Sequence, residues 1–128
     1  MTRRILFIGR KLLDESVLGP LGKRGFVVIQ DYDDQSALQK LIESRFDLVI
    51  VNLVDSVKPV EIIERIRSVA NLRSIRVLVL GEWGRGQVSF ALSKGADAYE
   101  PVPIDGERLA TSIARVLSEK AVAVGGKH

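Results

Sequence analysis

Four short apolar runs punctuate this chain: Ile5-Leu6-Phe7-Ile8, Phe26-Val27-Val28-Ile29, Leu48-Val49-Ile50-Val51 and Val77-Leu78-Val79-Leu80. Each is rich in β-branched residues and apolar at successive positions, the pattern of strands covered by helices on both faces. A fifth, shorter strand is predicted around Ala98-Tyr99.

Between these runs the apolar period lengthens to three or four. Ala37, Leu38, Leu41 and Ile42 share one helical face behind Asp34, which can act as its cap. Pro59 suits a first helical turn, with Ser56 as a nearby cap. Ile62, Ile63, Ile66 and Val69 follow as an apolar stripe, and Glu61 and Arg65 are spaced for an i,i+4 ion pair on the wet side. Val88, Ala91 and Leu92 form a shorter stripe that stops at Gly95. Asp105 can cap a last helix carrying Leu109, Ile113, Val116 and Leu117. Within Leu12 to Lys23, Gly19-Pro20 should kink or delay the first helix.

Strand and helix therefore alternate through five units, which argues for a parallel sheet with right-handed crossovers and helices on both faces. The predicted fold class is α/β: a flavodoxin-like, doubly wound five-stranded sheet of order 2-1-3-4-5 with five helices. Residues 1-120 form the domain. Residues 121-128, with Gly125-Gly126, read as a flexible tail or the start of a linker.

Composition narrows the chemistry. The 128 residues suit one domain with a real core. Without cysteine there is neither disulfide nor thiolate chemistry, and a reducing cytoplasm is the expected location. The one histidine is His128, so histidine catalysis and His-rich metal sites find no support. A net charge of +3 is spread along the chain with no long basic block, so nucleic-acid binding is not expected. No apolar run is long enough for a signal-peptide core or a membrane span.

Three stretches carry a family resemblance. Phe46-Asp47-Leu48-Val49-Ile50-Val51-Asn52-Leu53 is similar to the third strand of the receiver domains of two-component response regulators, a strand that normally ends at the phosphoacceptor aspartate. Gly95-Ala96-Asp97-Ala98-Tyr99-Glu100-Pro101-Val102-Pro103 resembles that family's Gly-Ala-Asp-Asp-Tyr run, which closes with Lys-Pro. Val60 to Arg67 resembles the helix after the phosphorylation loop, and the register holds from Arg4 to about Leu117. The resemblance implies an aspartate nucleophile, a Mg²⁺ held by two acidic residues after the first strand, and a hydroxyl and a lysine gripping the phosphoryl oxygens. The matching positions here hold other residues. Asn52 stands at the acceptor, Gly9 and Arg10 at the acidic pair, Gly81 at the hydroxyl and Val102 at the lysine. An amide is a poor nucleophile, and a guanidinium repels Mg²⁺. The resemblance thus implies a degenerate pocket with no phosphotransfer, no cofactor and no metal. Tyr99 matches the family's switching aromatic, but Gly81 offers it no hydroxyl to follow.

Other residues admit two readings. Arg10 either fills the old metal site with its own charge, bonding Asn52 or Asp55, or points to water. The loop Gly81-Glu82-Trp83-Gly84-Arg85-Gly86 either cradles an anion through its amides and Arg85 or is a plain connection without P-loop spacing. Trp83 either anchors a partner or packs into the domain. Asp31, Asp33 and Asp34, like Asp14 and Glu15, form either a site for a basic partner or cation, or a solvated loop with a helix cap. The family's usual output face would include Val88, Leu92, Tyr99, Arg108 and Ser112. The expected function is a non-enzymatic receiver domain that signals by binding a protein partner, or a second copy of itself, independently of phosphorylation. A ligand-sensing module for an anion or nucleotide is the alternative.

Overall fold

The computed structural model describes residues 2–55, 58–82 and 86–119. Ser56, Trp83, Arg85 and the tail 121–128, all singled out above, lie outside them. Five strands, β1 (Arg3–Ile8), β2 (Phe26–Asp31), β3 (Leu48–Asn52), β4 (Arg76–Gly81) and β5 (Ala98–Pro101), form one parallel sheet of order β2-β1-β3-β4-β5. Helices α1 (Glu15–Lys23), α2 (Asp34–Glu43), α3 (Pro59–Ser68), α4 (Gln87–Ser93) and α5 (Gly106–Ser118) connect or close it, with a 3-10 turn at Ala70–Leu72 after α3. The predicted α/β fold and strand order stand.

Strand alternation splits the core into two. Leu6, Ile8, Val49, Val51, Val77 and Val79 face α2, α3 and α4, whereas Ile5, Phe7, Leu48, Ile50, Leu78 and Leu80 face α1 and α5. This is why the runs 5–8 of β1, 48–51 of β3 and 77–80 of β4 are apolar at every position. Strand β2 departs from that expectation, because it is an edge strand and leaves Val27 exposed.

The helices differ from the sequence reading at two boundaries and in the burial of two stripe residues. Asp33, not Asp34, caps α2, its carboxylate accepting the Ser36 N–H at 2.8 Å. Asp34 is the first helical residue. Helix α1 starts at Glu15 because Asp14 caps it, and Pro20 is accommodated inside. Ile42 is 55% exposed and Leu92 is 41% exposed, so each lies at the rim of its stripe and not within it. In α3, Ile62, Ile63 and Ile66 are buried as predicted, with Pro59 in the first turn. Asp105 caps α5 through the Arg108 N–H.

Two aspartates tie neighbouring strands at their starts. Asp47 Oδ2 accepts the Arg4 N–H at 2.7 Å, and Asp97 Oδ2 accepts the Val77 N–H at 2.8 Å. Arg67 reaches the same Asp97 oxygen and the Gly95 carbonyl, where a φ of 121° favours glycine. The Gly95-Ala96-Asp97 run is therefore a structural clamp between α3, β4 and β5.

Candidate functional site at the carboxyl edge of the sheet

Parallel strands bring Gly9, Asn52, Gly81 and Val102 to one edge, where β1, β3, β4 and β5 end. Ligand sites of doubly wound sheets occupy this edge. A cleft of about 440 Å³ opens there, lined by residues that include Phe7, Lys11, Asn52, Asp55 and Val102.

The polar groups of the pocket are largely spoken for. Asn52 is half-buried, and its side-chain oxygen accepts the Val54 N–H at 3.0 Å, which turns the chain sharply after β3. Asp55 Oδ2 accepts the Lys11 N–H at 3.0 Å. The same β1–α1 loop is held from the other side by Gln30, whose amide donates to the Lys11 carbonyl at 2.6 Å and accepts the Leu13 N–H at 3.1 Å. Neither role was foreseen from the sequence. A glutamine directly after the apolar run of β2 and still within the strand was the available signal for Gln30.

Asp55 Oδ1 is buried with no hydrogen-bond partner. It lies against Gly9, where an added Cβ would meet Phe7 Cε1 at 2.8 Å, Asp55 Oδ1 at 3.1 Å and Asn52 Cβ at 3.2 Å. The absence of a side chain at position 9 is what lets Asn52 and Asp55 pack against the end of β1. Arg10 is exposed, while Asn52 Oδ1 and Asp55 Oδ2 accept the backbone N–H groups of Val54 and Lys11 and Asp55 Oδ1 is buried. Of the two readings of Arg10, the one pointing to water holds.

At position 81 a Cβ would meet Leu53 and Val88 side chains, both at 3.1 Å. The volume that a hydroxyl side chain would need is thus already apolar. Val102 is half-buried and packs with the α1–α5 core, and the Val102–Pro103 bond is cis. These donors do not fit the Mg²⁺ that the family resemblance implies. The cation needs freely offered oxygens, whereas of the two carboxylates lining the cleft Asp55 is bound through Oδ2 and covered at Oδ1, and Asp14 caps α1 through the Ser16 N–H and hydroxyl. Among the described residues no cluster of three or more acidic or histidine side chains could hold a metal.

The remaining predicted residues are dispersed. Tyr99 is half-buried and packs on the α2–α4 side of the core, while Arg108 is exposed on α5. Val88 and Ser112, expected on the output face, are buried, and the Ser112 hydroxyl donates to the Glu100 carboxylate. Leu92 of α4 is exposed as that face requires, and exposed Phe90, not foreseen there, adds to its apolar surface. Asp31 corrects the expectation of a solvated acidic loop, being only 7% exposed and paired with Lys40 at 2.6 Å.

No sequence-family model matches the chain, and no curated protein matches it by sequence. Solved structures match it closely in shape. The chemotaxis response regulator CheY4 of Vibrio cholerae is 21% identical with a TM-score of 0.80, over 91% of this chain and 99% of that one. A response regulator from Thermotoga maritima is 23% identical with a TM-score of 0.80, over 93% of this chain and all of that one (100%). The receiver domain of a sensor histidine kinase from Pseudomonas aeruginosa PAO1, solved with magnesium in its active-site cleft, is 19% identical with a TM-score of 0.80, over 93% and 100% of the two chains. At such identities the likeness establishes the fold.

Proposed function

We propose that this chain is a receiver module of two-component signalling that acts by binding a protein partner and does not accept a phosphoryl group. The observation that carries this reading is Asn52, an amide at the acceptor position whose oxygen is tied to the Val54 N–H. The apolar filling at Gly81 and the Val102 side chain support it, because nothing there grips phosphoryl oxygens. The receiver-like shape of the solved neighbours supports the family. With the pocket silent, the surface of α4, β5 and α5 is a part that can recognise a partner. Phe90, Leu92, Tyr99 and Arg108 are its contact residues, and a second copy of the chain is a further candidate partner for this face.

The test is an amide NMR titration with Mg²⁺ and beryllofluoride, which mimics an aspartyl phosphate. Resonances around Asn52, Gly81 and Val102 should stay in place. Specific, saturable shifts there would overturn the proposal.

The cleft beside Asn52 favours the second reading, a sensor for an anion or nucleotide. The Asp55 carboxylate beneath it opposes an anion. Thermal stabilisation by millimolar nucleotides or phosphates would support that reading, since a ligand of the native state must stabilise it.

A further inference from the structure

The amino edge of the sheet, opposite the pocket, collects arginines that are scattered in sequence. Arg3 and Arg4 open β1, Arg45 precedes β3, Arg73 precedes β4, and Arg76 opens it. Parallel pairing sets these strand starts side by side, with β1, β3 and β4 adjacent at about 5 Å per strand. The opposite edge holds the helix caps Asp14, Asp33 and Asp105 and the first-turn acids Glu15, Asp34 and Glu107. The small net charge of +3 is therefore the sum of two separated fields. Helix dipoles account for acids at helix starts and bases in last turns. They do not place the five arginines named here, none of which lies in a helix.

The edge is also concave. Three hollows of about 450, 440 and 240 Å³ run along it. The first two share Arg45 and Asp47, and the second and third share Ser74 and Ile75. The carboxylates in this groove are already engaged, Asp47 by the Arg4 N–H and Asp97 by Arg67 and the Val77 N–H. Among the described carboxylates none lies within 4.0 Å of Arg3, Arg45 or Arg73 as an ion pair. Arg4 is held over the Phe46 ring, 4.6 Å from its centroid. The middle hollow is floored by apolar Leu72 and Ile75 and edged by Ser44, Asn71 and Ser74.

We propose that this groove binds an acidic peptide segment of a partner protein, with carboxylates at the arginines and an apolar side chain over Leu72 and Ile75. Guanidinium forks suit carboxylates, and clusters of them read acidic motifs. The observations favour a peptide over nucleic acid. Base stacking needs an open aromatic face, whereas Phe46 is buried beneath Arg4. The apolar floor and its hydroxyl and amide rim match a peptide's side chain and backbone. This surface is separate from the α4–β5–α5 face, so either can fail alone.

The experiment is an amide NMR titration of the full chain with a short synthetic peptide of glutamates around a central leucine. Single-stranded oligothymidine and phosphatidylglycerol vesicles are run in parallel. Saturable shifts at Arg3, Arg45, Ser74 and Arg76 are expected below about 1 mM peptide, with binding weakened about tenfold or more by Arg45→Glu with Arg73→Glu. If that variant does not fold by circular dichroism, Arg45→Gln with Arg73→Gln must still weaken binding. No saturable shift, unchanged affinity in the folded variant, or equal binding when serine replaces the peptide's leucine would overturn the proposal. Tighter binding of oligothymidine or of vesicles would overturn it too, in favour of a nucleic-acid or membrane contact.

Discussion

Gly9 shows how one missing side chain shapes the pocket. A methyl group there would press on Phe7, Asp55 and Asn52 at 2.8–3.2 Å, and Phe7 is fully buried. Gly9→Ala should therefore destabilise the domain by about 1–3 kcal/mol, the usual cost of overpacking. Urea unfolding followed by circular dichroism would measure it, and an unchanged midpoint would show that the β3–α3 loop gives way freely. The identities of Gly9, Asn52, Gly81 and Val102 were legible in the sequence, and the proposal of a pocket that takes no phosphoryl group starts from them. Asp55 was foreseen only as a partner for Arg10. Its true contact, the Lys11 N–H, is 44 positions away, and no local pattern encodes such a pairing.

Between elements, the clearest titratable contact joins α2 to β2. Burial by itself pushes the Asp31 carboxyl up. The Lys40 ammonium, the Asp33 N–H and the Ser36 hydroxyl outweigh it, so the group sits below its ordinary value of 3.8. An acid with a depressed folded pKa stabilises the fold above its unfolded pKa and loses that stability as pH falls through the folded one. Asp34 runs the other way. Burial first, and the neighbouring Asp33 charge second, raise it, so its protonation at low pH favours the fold. Acid titration of wild type and Lys40→Met should separate the two. The variant should lose about 1 kcal/mol at neutral pH, and progressively less as pH falls through the depressed Asp31 pKa of the wild type, until Asp31 is protonated in both proteins. An equal loss at every pH would mean that Lys40 acts through packing alone. The period of α2 placed Ala37 and Leu41 in the core. It could not tell Asp33 from Asp34 as the cap, because that choice turns on the backbone extension at Asp33.

For the molecule as a whole, one sheet separates two cores that share every central strand. Leu21 of α1 is fully buried in one core and Ile63 of α3 in the other. Each change to alanine should cost about 2–5 kcal/mol, a large part of the roughly 5–15 kcal/mol that holds a domain together. Because the sheet stands between them, the double variant should lose nearly the sum, to within about 0.5 kcal/mol. Stability measured in the less disruptive pair Leu21→Val and Ile63→Val checks this if the alanine pair does not fold. A coupling well beyond that margin would show that the two cores adjust through the shared strands. The same parallel arrangement gives the molecule its electrostatic asymmetry. Every helix starts at the carboxyl edge, so capping acids gather there and the strand-start arginines are left together opposite.

The amino-acid sequence by itself determined the strand–helix alternation, the α/β class that follows from it, and the presence of Asn52, Gly81 and Val102 at the carboxyl ends of their units. These depend on local period and on residue identity, which need no knowledge of distant contacts. Only the tertiary structure decided that Asp31 is buried against Lys40, that Asp55 holds the β1–α1 loop, that Ser112 turns inward, and that five arginines from positions 3 to 76 form one groove. Those outcomes arise when parallel strands bring residues tens of positions apart within hydrogen-bonding reach. A reading of spacing along the chain sees the basic residues as scattered, while the sheet sets them side by side.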